Sequence, residues 1–389
     1  MERKEYLCLR MKKLYIFNPE NDMALASGSP YYMAPTSAKK MANDLAVLPA
    51  WYADAGSDVL VGDSRQVDWL RKGCGLPLPV TGVLTVSEEH REIVPWGWSP
   101  ALIHRLEGRG GKDVDVETLR MLSSRMTAVR LLPQLRMEGT IGESCWLTSL
   151  ENVSAFSLKH DRVLLKAPWS GSGKGIQPLC GLPDDNLQGW IRRIIATQGG
   201  VVGEPFYEKV KDFAMEFKVE GKDVAFGGYS LFETDARGIY KENFLASDAM
   251  IEEMLSEYVS RDVLHAIRKS LLQELSLLLG GNYQGYLGVD MMIVRSDEEK
   301  YLVHPCVEVN LRMNMGVVSR LLFDRFIVSE AVGRYVVEFF PRRGEALKAH
   351  DNLMSQHTLV MEGERIRSGY LSLVPVFEDT NYLIYVIIS

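Results

Sequence analysis

The chain has 389 residues, of which 46% are hydrophobic and 24% charged, and its formal charge is −7. That length predicts two or three domains with sizeable cores and excludes a disordered chain, a collagen-like one and a disulfide-bonded miniprotein. The acidic balance argues against nucleic acid or an anionic membrane as a partner, and the five scattered cysteines (Cys8, Cys74, Cys145, Cys180 and Cys306), with no CxxC pair, predict reduced thiols in a cytoplasmic protein.

The amino end, MERKEYLCLRMKK, is charged without an apolar h-region, so it does not read as a signal peptide. Residues 1–10 read as an extension or start-site artefact ahead of Met11, and no apolar stretch reaches the length of a membrane span. Leu14–Phe17 predicts a buried strand closed by Asn18–Pro19, Ser37–Ala50 a helix, and Asp58–Val61 a second strand. Together they predict an α/β domain with a parallel sheet over residues 11–112, with Gly108–Lys112 as its linker. Val116–Leu135 has helical spacing. Val163–Ala167 then predicts a strand entering the loop Ser170–Gly175 and leaving as a second strand, and Val201–Glu204 is a further short strand. Asp212–Val219 alternates, with Phe213, Met215, Phe217 and Val219 on one face and Asp212, Ala214, Glu216 and Lys218 on the other. Arg261–Leu279 reads as an amphipathic helix stopped by Gly280–Gly281. Tyr286–Val294 and Tyr301–Asn310 form a hairpin around RSDEEK, and Tyr382–Ile388 is the last strand.

Two features point to chemistry. A Gly/Ser loop after a strand lets backbone N–H groups approach phosphate oxygens without an intervening Cβ. GSGKG nevertheless fails as a P-loop, because Gly175 follows Lys174 where Ser or Thr is required, and it lacks the GxGxxG fingerprint. The alternative is a flexible hairpin turn. The second feature is a carboxylate pair. A hairpin centred near Glu299 sets Asp290 opposite Glu308, with Asn310 two residues on along the same face. Two carboxylates and an amide oxygen form a hard-oxygen set suited to Mg²⁺, the alternative being a solvated hairpin face.

The order of these parts resembles the ATP-grasp superfamily: strand lysine, Gly-rich loop, EPFY hinge, then GVDMMIV and VEVNLRMNMG, with Val307–Gly316 the most specific element. The resemblance spans about residues 116–320 and implies two α+β lobes enclosing ATP, residues 113–204 and 205–340. An α/β pre-grasp-like domain (11–112) precedes them and a C-terminal segment (341–389) packs on the core. It implies ATP and Mg²⁺ as cofactors, with Mn²⁺ as a substitute, and Asp290, Glu308 and Asn310 as the metal ligands. Lys166 matches the phosphate-contacting lysine. Ser170, Gly171, Ser172, Gly173 and Gly175 form the lid, with Lys174 as a further phosphate donor. Glu204 opens the hinge, and the backbone at Pro205, Phe206 and Tyr207 meets the adenine edge. Asp212 takes the ribose position, where a salt bridge to a neighbouring lysine is the alternative. Arg312 matches the residue that steadies the transferring phosphate. Arg125 stands where the family has an earlier lysine, presenting a planar fork instead of a point charge. Pro305–Cys306, just ahead of Glu308, is positioned to bulge the strand.

Such a site implies an ATP-dependent ligase that joins a small-molecule or peptide carboxylate to an amine through an acyl phosphate. A small-molecule phosphotransferase and a non-catalytic ATP-binding regulator are the alternatives. Substrate candidates are Asn18 and Glu20 in NPEND, and Arg237 and Lys241 in ETDARGIYKENF. NPEND also reads as a turn at Asn18–Pro19 followed by a helix capped by Asp22, and the two basic residues as a solvated loop.

Overall fold

The computed structural model describes residues 12–73, 75–170, 175–234, 240–296 and 298–389, and within them three sheets carry the architecture. The first is parallel: β1 (Lys12–Ile16), β2 (Asp58–Leu60), β3 (Thr81–Val83) and β4 (His90–Pro95), in the order β3-β2-β1-β4. Parallel neighbours need crossovers, and helix Ser64–Lys72 supplies one between β2 and β3. The Asp63 carboxylate starts that helix by accepting from the backbone N–H groups of Arg65 and Gln66. The helix expected over Ser37–Ala50 is shorter, Thr36–Asp44, followed by a 3₁₀ turn at Leu48–Trp51 that contains Pro49. The helix expected over Val116–Leu135 is broken into Val116–Leu122, Met126–Leu131 and a 3₁₀ turn Leu132–Leu135. At the first break the Arg125 N–H donates to the Pro168 carbonyl (3.0 Å), and at the second Pro133 has no N–H to continue the ladder.

The second sheet is antiparallel, with β5 (Cys145–Leu147), β6 (Val163–Lys166), β7 (Ile176–Leu179) and β8 (Val201–Pro205) in the order β5-β8-β6-β7. Val153, Phe156, Leu165, Ile191 and Val201 close a small core of its own against helices Leu150–Ser157 and Asp185–Gln198. The glycine loop joins β6 to β7 as a hairpin, so no helix follows it.

The third sheet holds nine strands: β9 (Glu208–Glu220), β10 (Asp223–Thr234), β11 (Tyr240–Leu245), β12 (Gly285–Arg295), β13 (Tyr301–Asn310), β14 (Gly333–Phe339), β15 (Val360–Glu362), β16 (Arg365–Ser372) and β17 (Tyr382–Ile388). Their order is β13-β12-β9-β10-β11-β14-β17-β16-β15. Helix Arg261–Leu279 buries Leu264, Ile267, Leu271, Leu275 and Leu279 in a shared core with Phe213, Met215 and Phe217 of β9, the apolar face read from the alternation. The carboxy-terminal segment also packs on the helical turns that follow β1. Trp51 Nε1 donates to the Leu373 carbonyl (2.7 Å), and the Asp44 carboxylate accepts from the N–H groups of Asn381 and Tyr382 (2.9 and 3.1 Å). Among the described residues no helix is long and apolar enough to cross a membrane.

Candidate active site

The β12–β13 hairpin sets the acidic face. Near its turn Met292 faces His304, so this half is centred on Glu298, one residue short of the expected Glu299. Pro305–Val307 then bulges opposite Met291, and beyond the bulge Asp290 faces Glu308 and Gly288 faces Asn310. Without the bulge Asp290 would face Cys306. The register expected for the carboxylates is therefore reached, but through the irregularity at Pro305, a residue with no N–H to give the ladder. Asn310 Nδ2 donates to Asp290 Oδ2 (3.0 Å). Burial first, and then the facing charge of Glu308, push Asp290 up to about 7.

Two arginines adjoin this face, and a buried lysine pairs with a glutamate on the neighbouring sheet. Arg125, from the break ahead of helix Met126–Leu131, is buried and donates through Nη1 to the Ala167 carbonyl and to Ser170 Oγ (2.7 Å each). Its other nitrogen, Nη2, reaches the Glu308 carboxylate (3.1 Å). Arg312 grips Asp22 through Nε and Nη2 (2.7 and 2.6 Å) and donates to Asn310 Oδ1 (3.0 Å). Lys166 is only 5% exposed, and its Nζ lies 2.5 Å from Glu204 Oε2, which is itself 3% exposed. Ser144 Oγ donates to the other Glu204 oxygen (3.3 Å). The strand lysine and the hinge glutamate, given separate roles from the sequence, are thus partners of one another.

Other candidates fall differently. Asn18 is buried and spends its Nδ2 on the Gly97 carbonyl (2.8 Å), so it is a turn residue and is closed to a substrate. Glu20 leans towards Arg105 (3.6 Å) with its Oε2 buried and unpartnered. Asp22 gives helix Asn21–Ser27 no side-chain cap, because its carboxylate is committed to Arg312. Asp212 pairs with Lys209, the neighbouring-lysine salt bridge named as its alternative, and accepts from Thr234 Oγ1 (3.2 Å). The Phe206 N–H donates to the Arg162 carbonyl (2.9 Å) and Pro205 has no N–H, so neither backbone nitrogen is free to donate to a ligand. The Tyr207 hydroxyl accepts from the Glu143 N–H (2.9 Å), and its ring meets His304 edge-on. Lys241 is exposed at a β11 irregularity, outside the cavity described next. Gly171, Ser172, Gly173, Lys174 and Arg237 lie outside the described residues.

Asp22, Arg125, Ser170, Asp290, Glu308, Asn310 and Arg312 converge on one cavity of ≈ 380 Å³. So does Glu216, which the sequence reading did not select as a site residue. Glu216 stands on β9 opposite Gly288, and burial pushes it up to about 8. Its signal was present in the alternation, since it shares the β9 face of Asp212, but only the β9–β12 pairing shows that this face adjoins Asp290. Among the described residues no three His, Cys, Asp and Glu side chains form a metal cluster. The donor set is instead two facing carboxylates and an amide, with Asp290 pushed up by burial and then by the facing Glu308. That set fits Mg²⁺, which takes one or two carboxylates and completes its shell with phosphate oxygens and water.

No protein-family model and no curated protein sequence matches the chain. Solved structures do. N5-carboxyaminoimidazole synthetase from Staphylococcus aureus, complexed with ADP, matches with a TM-score of 0.50 at 10% identity, covering 97% of this chain and 93% of that one. The biotin carboxylase β-γ-ATP complex from Campylobacter jejuni matches with a TM-score of 0.53 at 10% identity, covering 98% and 88%. At such identity the likeness establishes architecture alone: the chain has the ATP-grasp fold.

Proposed function

We propose that the chain, on this ATP-grasp fold, is an ATP- and Mg²⁺-dependent ligase that joins a carboxylate to an amine. The observation that carries the reading is the convergence of the Asp290–Glu308 pair, Asn310, Arg125 and Arg312 on one cavity beside the Lys166 strand. Two solved structures of the same fold hold an adenine nucleotide, which supports nucleotide binding here. Asp290, Glu308 and Asn310 would hold the metal, whose chemistry is to neutralise phosphate oxygens. Arg312 and Arg125 offset charge on the transferring phosphoryl group, and Asp22 and Ser170 aim the two guanidinium groups. The substrate carboxylate attacks the γ-phosphorus and ADP leaves. The amine then attacks the acyl carbon, the C–N bond forms, the C–O bond breaks and phosphate departs.

The test is calorimetric titration of ATP, with and without Mg²⁺, into the wild type and Glu308→Gln, followed by assay of ADP release with panels of carboxylates and amines. Mg²⁺-dependent binding that Glu308→Gln weakens, with ADP release requiring both substrates, is the expected result. ADP release with a carboxylate or alcohol alone and a stable phosphorylated product would instead indicate a phosphotransferase. Absence of nucleotide binding by the folded wild type would refute the proposal.

A further inference from the structure

Four acids line the cavity, and three are committed. Asp22 is held by both donors of Arg312, Glu308 faces Arg125, and Asp290 stands opposite Glu308 in the metal set. Glu216 is the fourth. Among the described residues it has no ion-pair partner, and its polar contact is Asn314 Nδ2, 2.9 Å from Oε2. Asn314 is itself fixed, because its Oδ1 accepts from the Val317 N–H and caps helix Met315–Phe326.

The position of Glu216 is built into the backbone around it. A Cβ at residue 288 would stand 2.5 Å from Glu216 Oε2, and one at residue 316 would stand 2.2 Å from Oε1. Both positions are glycine, so two neighbouring elements leave the carboxyl its space. Ser230 lies beside the same oxygen and accepts at Oγ from Asn243 Nδ2, while Asn243 accepts from the Tyr240 hydroxyl. Met41, Trp96, Phe232, Met315, Val337 and the ring of Tyr240 supply the apolar part of the same cavity's lining.

We propose that the amine substrate enters as a primary ammonium carried on an apolar body of aromatic size, with Glu216 holding the ammonium and accepting the proton it must lose before the neutral nitrogen attacks; this deepens the ligase reading and rests on it. An anionic nucleophile would meet a carboxyl that has no cation beside it among the described residues. Ammonia alone would leave the apolar wall unfilled. A bound ammonium offsets the cost of ionising a buried carboxyl, a cost expressed in the upward push on Glu216. The cavity lies within the volume range of small-molecule sites.

The test is calorimetric titration of three probes into the full chain with Mg²⁺ and a non-hydrolysable ATP analogue. The probes are 2-phenylethylamine, its uncharged isostere 2-phenylethanol, and ethylamine. The wild type is expected to bind 2-phenylethylamine about tenfold or more tightly than either of the others. Glu216→Gln should lose the preference for amine over alcohol. Val337→Arg, on the apolar wall, should lose the preference for 2-phenylethylamine over ethylamine with Glu216 intact. A wild type that binds the nucleotide but does not prefer 2-phenylethylamine overturns this inference and leaves the ligase reading in place. A wild type that binds no nucleotide overturns the ligase reading, and this inference falls with it.

Discussion

The buried pair between Lys166 and Glu204 gives a quantitative prediction. Lys166→Met keeps the apolar stem and removes the charge, leaving Glu204, 3% exposed, with the Ser144 hydroxyl at 3.3 Å as its one remaining donor among the described residues. Breaking a buried pair from one side costs about 3–5 kcal/mol, and a retained neutral hydrogen bond returns about 1 kcal/mol. The single variant should therefore lose about 3 kcal/mol. The double variant Lys166→Met with Glu204→Met removes both desolvation costs and should lie within about 1 kcal/mol of the wild type. Trp146, Trp169 and Trp190 belong to or flank this lobe, so urea unfolding followed by tryptophan fluorescence reads it directly. With a slope of about 2 kcal/mol per molar urea, the single variant's midpoint should fall by about 1.5 M and the double variant's by under 0.5 M. A double variant less stable than the single one would refute the reasoning, because each charge would then be stabilising without the other. Both variants should also bind ATP more weakly, which separates the contribution to folding from the contribution to the nucleotide.

Further outcomes follow from the same site. Glu216 is pushed up to about 8 and Asp290 to about 7, so between the ordinary carboxylate range and about pH 8 these two groups hold more protons in the folded chain than in the unfolded one. Stability of the ligand-free protein should consequently fall as pH rises through that window; Glu216→Gln and Asp290→Asn should each flatten the slope, as should Mg²⁺ with ADP, and urea midpoints at several pH values check this. Asp22→Asn frees the Arg312 fork and should lower kcat for ADP release about tenfold with a smaller change in KM for ATP; an unchanged kcat would remove Asp22 from the site. His304 is buried with neither ring nitrogen hydrogen-bonded, and burial holds it down to about 4. His304→Leu should accordingly be neutral or stabilising by about 1–2 kcal/mol in urea unfolding.

Features set by local chemistry were legible in the sequence. Helix Arg261–Leu279 has its apolar stripe, its Ser260 cap and its Gly280 stop all in contiguous residues. Partners set by strand order were not legible. Glu216 becomes a cavity residue only because β9 lies beside β12, more than sixty residues further along the chain. The Asp22–Arg312 and Lys166–Glu204 pairs join elements whose neighbours no periodicity reveals. The hairpin register shows an intermediate case: the pairing of Asp290 with Glu308 was read correctly from symmetry about Glu299, yet the symmetry is absent and the bulge at Pro305 supplies the missing residues.

The carboxy-terminal strands have a consequence for synthesis. Leu48, Trp51 and Val59 share one core with Ile366, Leu373 and Ile384, and the Trp51–Leu373 hydrogen bond spans 322 residues. At about 5–20 residues per second, a ribosome takes roughly 15–65 s to make that interval. Helix Met315–Phe326 covers part of that core first, through Val317, Leu322 and Phe323, and the carboxy-terminal strands cover the rest, so the core beside the amino-terminal sheet closes only when the chain is nearly all translated. A chaperone that shields nascent apolar surface should engage residues 45–76 early and release them only once β17 has emerged. Truncation before Tyr382 should convert that transient association into a lasting one.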